Sequence, residues 1–270
     1  NDDLKVGEIM HNKVATLCLT FDNMGSAASI GQRKRGGPGP DDIGPVGYPE
    51  ALELLERLGL RATFFIEGWN ALHNPKAVQE IANAGHEVGV HGWVHEVLHT
   101  LEEIDVERVL VDAVAAFHNL GVKPRGFRAP GGKRGSHTLS ILRKLGLQYD
   151  SSVDHAHDDS EENAPHALPT LLEGDFPTIP WKWSAIDYYH YYMHPQGEQT
   201  PDTVAKHYIE ELFRIEQSGG FCTFIFHPFV SCSTAERTEV LERILRYAIE
   251  SPNIDIVTAG DVASAMAVNR

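Results

Sequence analysis

Five side chains in this 270-residue chain have the types and settings that chemistry needs: Asp22, His91, His95, Arg128 and His227. The run His91-Gly-Trp-Val-His95 places two imidazoles four residues apart. On one face of a helical turn such a pair can bind a single metal ion, typically zinc. Asp22 closes Thr20-Phe21-Asp22 and is followed by Asn23. A carboxylate there can orient or deprotonate a metal-bound water, although Asp-Asn equally suits a helix cap or an Asx turn. Arg128 begins Arg-Ala-Pro130, where a guanidinium can fix a carboxylate bidentately and the proline stiffens the loop. His227, in Phe-His-Pro, can protonate a departing amine.

Each of these residues except His95 falls at the end of an expected β-strand. The strand candidates are Val14–Phe21, Arg61–Glu67, His86–His91, Arg125–Ala129, Phe221–His227 and Ile254–Thr258, all short and rich in β-branched or aromatic residues. Amphipathic helices separate them. Pro49 opens one carrying Leu52, Leu55 and Leu58. Thr100 with Glu103, and Ser233 with Glu236, read as capping boxes for two more. Gly59, Gly85, Gly121, Gly146 and Gly219 follow helical patterns and suit left-handed helix ends. Strands alternating with such helices imply βαβ units and a parallel sheet. About seven units fit, which favours a distorted, incomplete β/α barrel whose active site lies at the carboxyl ends of the strands. The first strand is not followed by Gly-x-Gly-x-x-Gly, which weakens a dinucleotide-binding alternative.

Two segments interrupt the alternation. Gly25 to Gly47 is rich in Gly and Pro and reads as a long loop over the barrel mouth. Ser151 to Pro201 combines the acids Asp158, Asp159, Glu161 and Glu162 with an aromatic cluster from Trp181 to Tyr192. Long irregular insertions of this kind are commonly binding loops or lids. Trp93, Trp181, Trp183 and the Tyr188–Tyr192 cluster are candidates for pocket walls, and equally for core or a subunit interface.

Composition narrows the class. Residues 1–270 read as one domain, with 42% hydrophobic content and a net charge of −15. That charge argues against a nucleic-acid partner, and the basic run Gln32-Arg33-Lys34-Arg35 sits in a Gly/Pro-rich stretch. Cys18, Cys222 and Cys232 form no disulfide framework; Cys18 and Cys222 lie in apolar runs as small core residues. No apolar stretch approaches the roughly 20 residues of a membrane span. The first residues do not read as a signal peptide, so the expected compartment is the cytoplasm.

Taken together, the motifs resemble the polysaccharide deacetylase, or NodB-type, family (carbohydrate esterase family 4). The resemblance rests on Leu-Thr-Phe-Asp22, Gly-His-Glu-Val-Gly-Val-His91-Gly-Trp-Val-His95, Gly-Phe-Arg128-Ala-Pro130, Tyr-Asp150-Ser-Ser and Phe-Ile-Phe-His227-Pro. It implies a distorted β/α barrel that hydrolyses C–N bonds on a bound divalent metal. By position it implies Asp22 as general base, His91 and His95 as metal ligands, His227 as general acid and Arg128 as the group that orients Asp22. Asp150 would support that network. Pro-Val-Gly-Tyr-Pro-Glu-Ala-Leu-Glu-Leu-Leu, Ala-Thr-Phe-Phe-Ile-Glu-Gly and His-Gly-Trp-Val-His-Glu are most similar to a branch that includes ring-opening allantoinases and cyclic imide hydrolases.

The chain departs from the family at one telling place. Members carry a second Asp directly after the first, or two residues after it, as a metal ligand. Here Asn23 and Met24 stand at those positions, and Gly131 stands where sugar deacetylases carry an aromatic residue. Asn23 is therefore the expected third ligand through its carbonyl oxygen, with Asp22 as the alternative. Trp93, Pro130 and Trp183 are expected to contact substrate. The favoured reading is a zinc-assisted amidohydrolase acting on a small N-acyl or cyclic amide, with assembly into a homo-oligomer left open. Two alternatives stand beside it: a non-catalytic ligand-binding protein, and a metal-free ring-opening hydrolase using Asp22 and His227.

Overall fold

The computed structural model describes residues 14–31, 47–153 and 164–268. Among them, nine strands form one sheet in the order β6-β7-β5-β4-β3-β2-β1-β8, with β9 also on β1. The strands are β1 (Ala15–Asp22), β2 (Thr63–Ile66), β3 (Glu87–Val90), β4 (Gly126–Phe127), β5 (Tyr149–Asp150), β6 (Thr170–Leu172), β7 (Phe176–Thr178), β8 (Phe221–Phe226) and β9 (Ile254–Val257). Every pairing is parallel except β6 with β7. The six strands read from sequence are all present, each trimmed by a residue or more at one or both ends. The three others are short: β6 and β7 lie in the irregular stretch and β5 just before it, where too few residues alternate to carry a period.

β1 is the axis of the sheet. Its first half pairs with β9 and its last residues with β2 along one edge, while β8 runs along the other. With both faces covered, β1 and β8 are apolar almost throughout, as buried parallel strands are. The sheet curls, and a parallel bridge between Ile186 and Ile225 joins the segment after β7 to β8. The result is a distorted, incomplete β/α barrel.

Helices cover the outside: α1 (Gly25–Gly31), α2 (Tyr48–Leu58), α3 (Gly68–His73), α4 (Pro75–Asn83), α5 (Glu103–Asn119), α6 (Thr138–Lys144), α7 (Pro201–Ser218), α8 (Pro228–Ser231), α9 (Ala235–Glu250) and α10 (Ala259–Val268). The apolar stripes of α2, α5, α7 and α9 bury Leu54 and Leu55, Leu110 and Phe117, Tyr208 and Leu212, and Leu241 and Ile244 against the sheet. Phe21 stacks on Phe64 across β1 and β2 at 4.9 Å, extending the core beneath the strand ends. Cys18, Cys222 and Cys232 are free and buried. None of the described helices is long and apolar enough to cross a membrane.

Several local expectations are corrected. Residues 25–31 are helical rather than loop, and the basic run from Gln32 to Arg35 lies outside the described residues, as do Asp158, Asp159, Glu161 and Glu162. The Thr100–Glu103 capping box does not form: Thr100 donates to the Val97 carbonyl in a 3₁₀ turn, and Glu102 stands at the cap of α5. The cap of α9 is Thr234, whose hydroxyl accepts from Arg237 N, one residue beyond Ser233. The five glycines expected at helix ends all have positive φ.

Candidate active site

The carboxyl ends of β1, β3, β4 and β8 bring Asp22, His91, Arg128 and His227 to one pocket, together with His95. The pocket has a volume of about 180 Å³. The remaining wall is largely apolar: Met24, Trp181, Trp183, Ile186, Tyr189 and Ile225 among others.

Asp22 is held from below. Arg128, only 1% exposed, donates from Nη1 to Asp22 Oδ1 at 2.6 Å and to Thr20 Oγ1 at 2.9 Å. The rest of the guanidinium is tied to β5, with Nη2 on Ser151 Oγ at 2.9 Å and Nε on Ser151 O at 3.1 Å. The Arg128 guanidinium also lies over the Phe65 ring, 4.2 Å from its centre. A buried guanidinium with all three nitrogens hydrogen-bonded is a rigid support for a carboxylate. Asp150 stands one step further out: its Oδ1 accepts from Ser152 N and Oγ, its Oδ2 from Arg134, and Ser152 Oγ in turn receives Ala129 N. It braces the strand ends that carry Arg128 and does not line the pocket.

His227 faces Asp22 from β8 and has its own carboxylate. Its Nδ1 lies 2.7 Å from Asp187 Oδ1, and Asp187 also accepts from His227 N, Ser231 Oγ and Tyr188 N. Burial alone pulls the imidazole pKa down; the charge and hydrogen bond of Asp187, with Asp22 adding to them, more than reverse this and raise it above 6.5. Asp187 was not read from sequence. The signal was available, since it is the single acid in the aromatic run from Trp181 to Tyr192.

His91 and His95 meet through a turn, not a helix. Gly92 and His95 both have positive φ (74° and 63°), and the Glu96 carboxylate closes the turn on the N–H groups of Trp93 and Val94. A Cβ on Gly92 would come within 2.7 Å of Glu96 Oε2, so the turn requires glycine there. The left-handed His95 is the kind of local strain that persists at working sites. The two rings pack edge to face at 5.0 Å. His91 Nδ1 is 2.8 Å from the Arg128 carbonyl, which can only accept; the proton is therefore on Nδ1 and Nε2 presents a lone pair. Burial lowers both imidazoles to a pKa of about 3, so they are neutral.

Three expected site residues lie elsewhere. Asn23 is fully buried, with Oδ1 accepting from Tyr48 OH at 2.7 Å and Nδ2 donating to Glu67 at 2.6 Å. Its oxygen is taken, and Met24 is the neighbour that reaches the pocket. Trp93 packs against Gly68 on the side of α3 and is not part of the pocket wall. Pro130 is buried against Gly92. Trp183 lines the pocket as expected, joined edge to face by Trp181 at 5.4 Å. Trp181 approaches closely because Gly132 has no side chain; a Cβ there would sit 2.7 Å from the indole. His86 and His99 stand apart from the pocket, His86 packed on Phe64 and His99 exposed.

A catalytic zinc or similar ion takes three protein ligands and keeps a position for water. His91 and His95 are two suitable neutral donors, but among the described residues no group of three or more His, Cys, Asp or Glu is placed to hold a metal. With Asn23 engaged elsewhere, the donor set does not fit the metal site that the family resemblance implies.

The family model for polysaccharide deacetylase matches residues 11–149. A peptidoglycan deacetylase of Helicobacter pylori is 33% identical over 156 residues, 55% of this chain and 48% of the relative, so the chain spans about half that protein's length. A solved structure described as a polysaccharide deacetylase from Mycobacterium smegmatis superposes with a TM-score of 0.81 at 24% identity, covering 96% of this chain and 92% of that one. Puue allantoinase superposes with a TM-score of 0.79 at 17% identity and the same coverage. At these identities the structural matches establish the fold.

Proposed function

Because the chain belongs to the polysaccharide deacetylase family, we propose that this pocket hydrolyses the C–N bond of a small, neutral N-acyl or cyclic amide, with Asp22 as base and His227 as acid. The observation that carries the reading is the facing of two dyads, Arg128–Asp22 and Asp187–His227, across one small pocket. Each dyad fixes a reactive group through a buried partner of opposite charge, which is how general acids and bases are oriented and tuned.

The proposed sequence uses only these side chains. A water molecule gives a proton to Asp22 as its oxygen attacks the amide carbon; His91 Nε2, the lone-pair nitrogen of that ring, helps hold that water. The tetrahedral adduct then collapses as His227 Nε2 gives its proton to the nitrogen, and the C–N bond breaks to leave a carboxylic acid and an amine. Asp187 stabilises the imidazolium that begins the step. A divalent metal would polarise the carbonyl and acidify the water; the donor set above is incomplete for one, and no step here passes through it.

The substrate class follows from the walls. A cavity of about 180 Å³ is small beside ordinary ligand sites, which run roughly 300–1,000 Å³. Its cations, Arg128 and the His227 imidazolium, are already paired with Asp22 and Asp187, so an anionic substrate would find no free counter-charge. Trp181, Trp183, Ile186 and Ile225 instead favour a compact, uncharged, partly apolar acyl or ring amide. The test is a turnover panel, read by NMR, containing small neutral amides and cyclic imides beside N-acetylated chito-oligosaccharides. Preferential cleavage of the small neutral compounds is expected. Cleavage confined to the oligosaccharides would replace this substrate class with a polymer.

A further inference from the structure

One buried carboxyl beneath the pocket plays no part in the proposed reaction. Glu67, at the end of β2, is fully buried. Its Oε2 accepts from Asn23 Nδ2 at 2.6 Å and from Asn70 Nδ2 at 2.9 Å, and among the described residues its Oε1 has no partner. The chain of contacts continues in both directions. Tyr48 OH, on the first turn of α2, donates to Asn23 Oδ1 at 2.7 Å, and Asn74 Nδ2 donates to Asn70 Oδ1 at 2.8 Å. The backbone N–H of Asn23 is bonded to Phe65 O at 3.0 Å, so the residue is fixed at both ends.

This arrangement asks something specific of position 23. The side chain there must accept a hydrogen bond from Tyr48 and donate one to Glu67 at the same time. An amide does both, whereas a carboxylate only accepts. We propose that Asn23 and Glu67 are a matched pair, an amide–carboxyl lock that joins the ends of β1 and β2 and removes position 23 from the metal-ligand set. The Asn is then a requirement of Glu67 and not a carboxylate ligand worn away. The lock also explains why Met24, and not Asn23, lies beside His91 and His95 in the pocket wall.

The pairing makes a polarity-swap prediction. Asn23→Asp alone sets two carboxyl groups face to face. Adding Glu67→Gln restores a donor opposite position 23, at the expense of the Asn70 contact, because both bonds fall on the same oxygen, Oε2. The experiment compares the wild type, Asn23→Asp, Glu67→Gln and the double variant at pH 9, by thermal unfolding and by zinc content after equilibration with excess zinc and desalting. Neither readout requires a substrate, so the result stands apart from the amide reaction proposed above.

Asn23→Asp is expected to lower Tm by roughly 5 °C or more. The double variant should recover at least about half of that loss, as contacting partners do in a mutant cycle. Asn23→Asp should take up well under one zinc per chain. If Asn23→Asp fails to fold while the double variant folds, the pairing is likewise supported. Uptake of about one zinc per chain by Asn23→Asp, an unchanged Tm, or a double variant no better than Asn23→Asp would overturn the proposal.

Discussion

Replacing Asp187 by Asn tests the acid half of the site without emptying space. The substitution keeps the shape and an oxygen acceptor, but removes the negative charge opposite His227 Nδ1, 2.7 Å away, in a fully buried setting. A hydrogen bond to a charged partner contributes about 1.5–3 kcal/mol. With about 1.4 kcal/mol per factor of ten, kcat/KM should fall roughly 10- to 100-fold. The pH profile should change as well. His227 works as an acid while protonated, so the rate declines as pH rises through its pKa, which Asp187 holds above 6.5 against the pull of burial. Without Asp187, burial prevails and the alkaline limb moves to lower pH. The assay is kcat/KM on a small neutral amide across about pH 5 to 9. A loss of rate with the alkaline limb unmoved would refute His227 as the proton donor.

Other perturbations have equally definite outcomes. Arg128→Met strips Asp22, Thr20 and Ser151 of their donor and leaves a buried carboxylate uncompensated, which should cost about 3–5 kcal/mol in urea unfolding. Glu67 has its pKa raised from 4.5 to about 8 by burial, so the folded chain keeps a proton that the unfolded chain has lost. Its contribution is complete below about 4.5 and disappears as pH rises to about 8, a slope of at most about 1.4 kcal/mol per pH unit that Glu67→Gln should remove. Parallel stability profiles for the two proteins would count against that assignment. Gly126→Ala would put a Cβ within 2.1 Å of the buried Tyr149 ring, and overpacking of that kind should cost about 1–3 kcal/mol, seen as a lower Tm with the secondary structure retained.

Much of the site could be read from the chain because its residues sit at the ends of short but strongly patterned strands. Asp22, His91 and His227 follow apolar runs whose period and composition are hard to mistake, and a parallel barrel brings such ends together. Arg128 was readable through its Arg-Ala-Pro setting even though β4 has only two residues. What escaped was orientation and long-range pairing. Asn23 is adjacent to Asp22, yet strand alternation turns the two side chains to opposite faces, so proximity in sequence misassigned it as a ligand. Trp93 was misplaced for a similar reason, because a turn with left-handed Gly92 and His95 aims side chains in a way that no helical spacing describes, and Pro130, after β4, packs onto that turn at Gly92. Asp187 reaches His227 across 40 residues from an irregular segment, where neither period nor capping marks a functional carboxylate. Glu67 could have been noticed as an acid closing an apolar strand, but the Tyr48 hydroxyl that holds its partner Asn23 could not.

The most direct test of the central claim is kcat/KM of Asp22→Asn beside the wild type, on the small neutral amide that the wild type turns over fastest. Asp22→Asn preserves the contact with Arg128 while removing the base, and a general base contributes typically 10²–10⁴-fold. A fall of at least about 100-fold, in a protein that still folds although buried Arg128 loses its counter-charge, is the expected result. Equal turnover by the two proteins, or no turnover of any amide by the wild type, would contradict the assignment of this pocket as an amide-hydrolysing site.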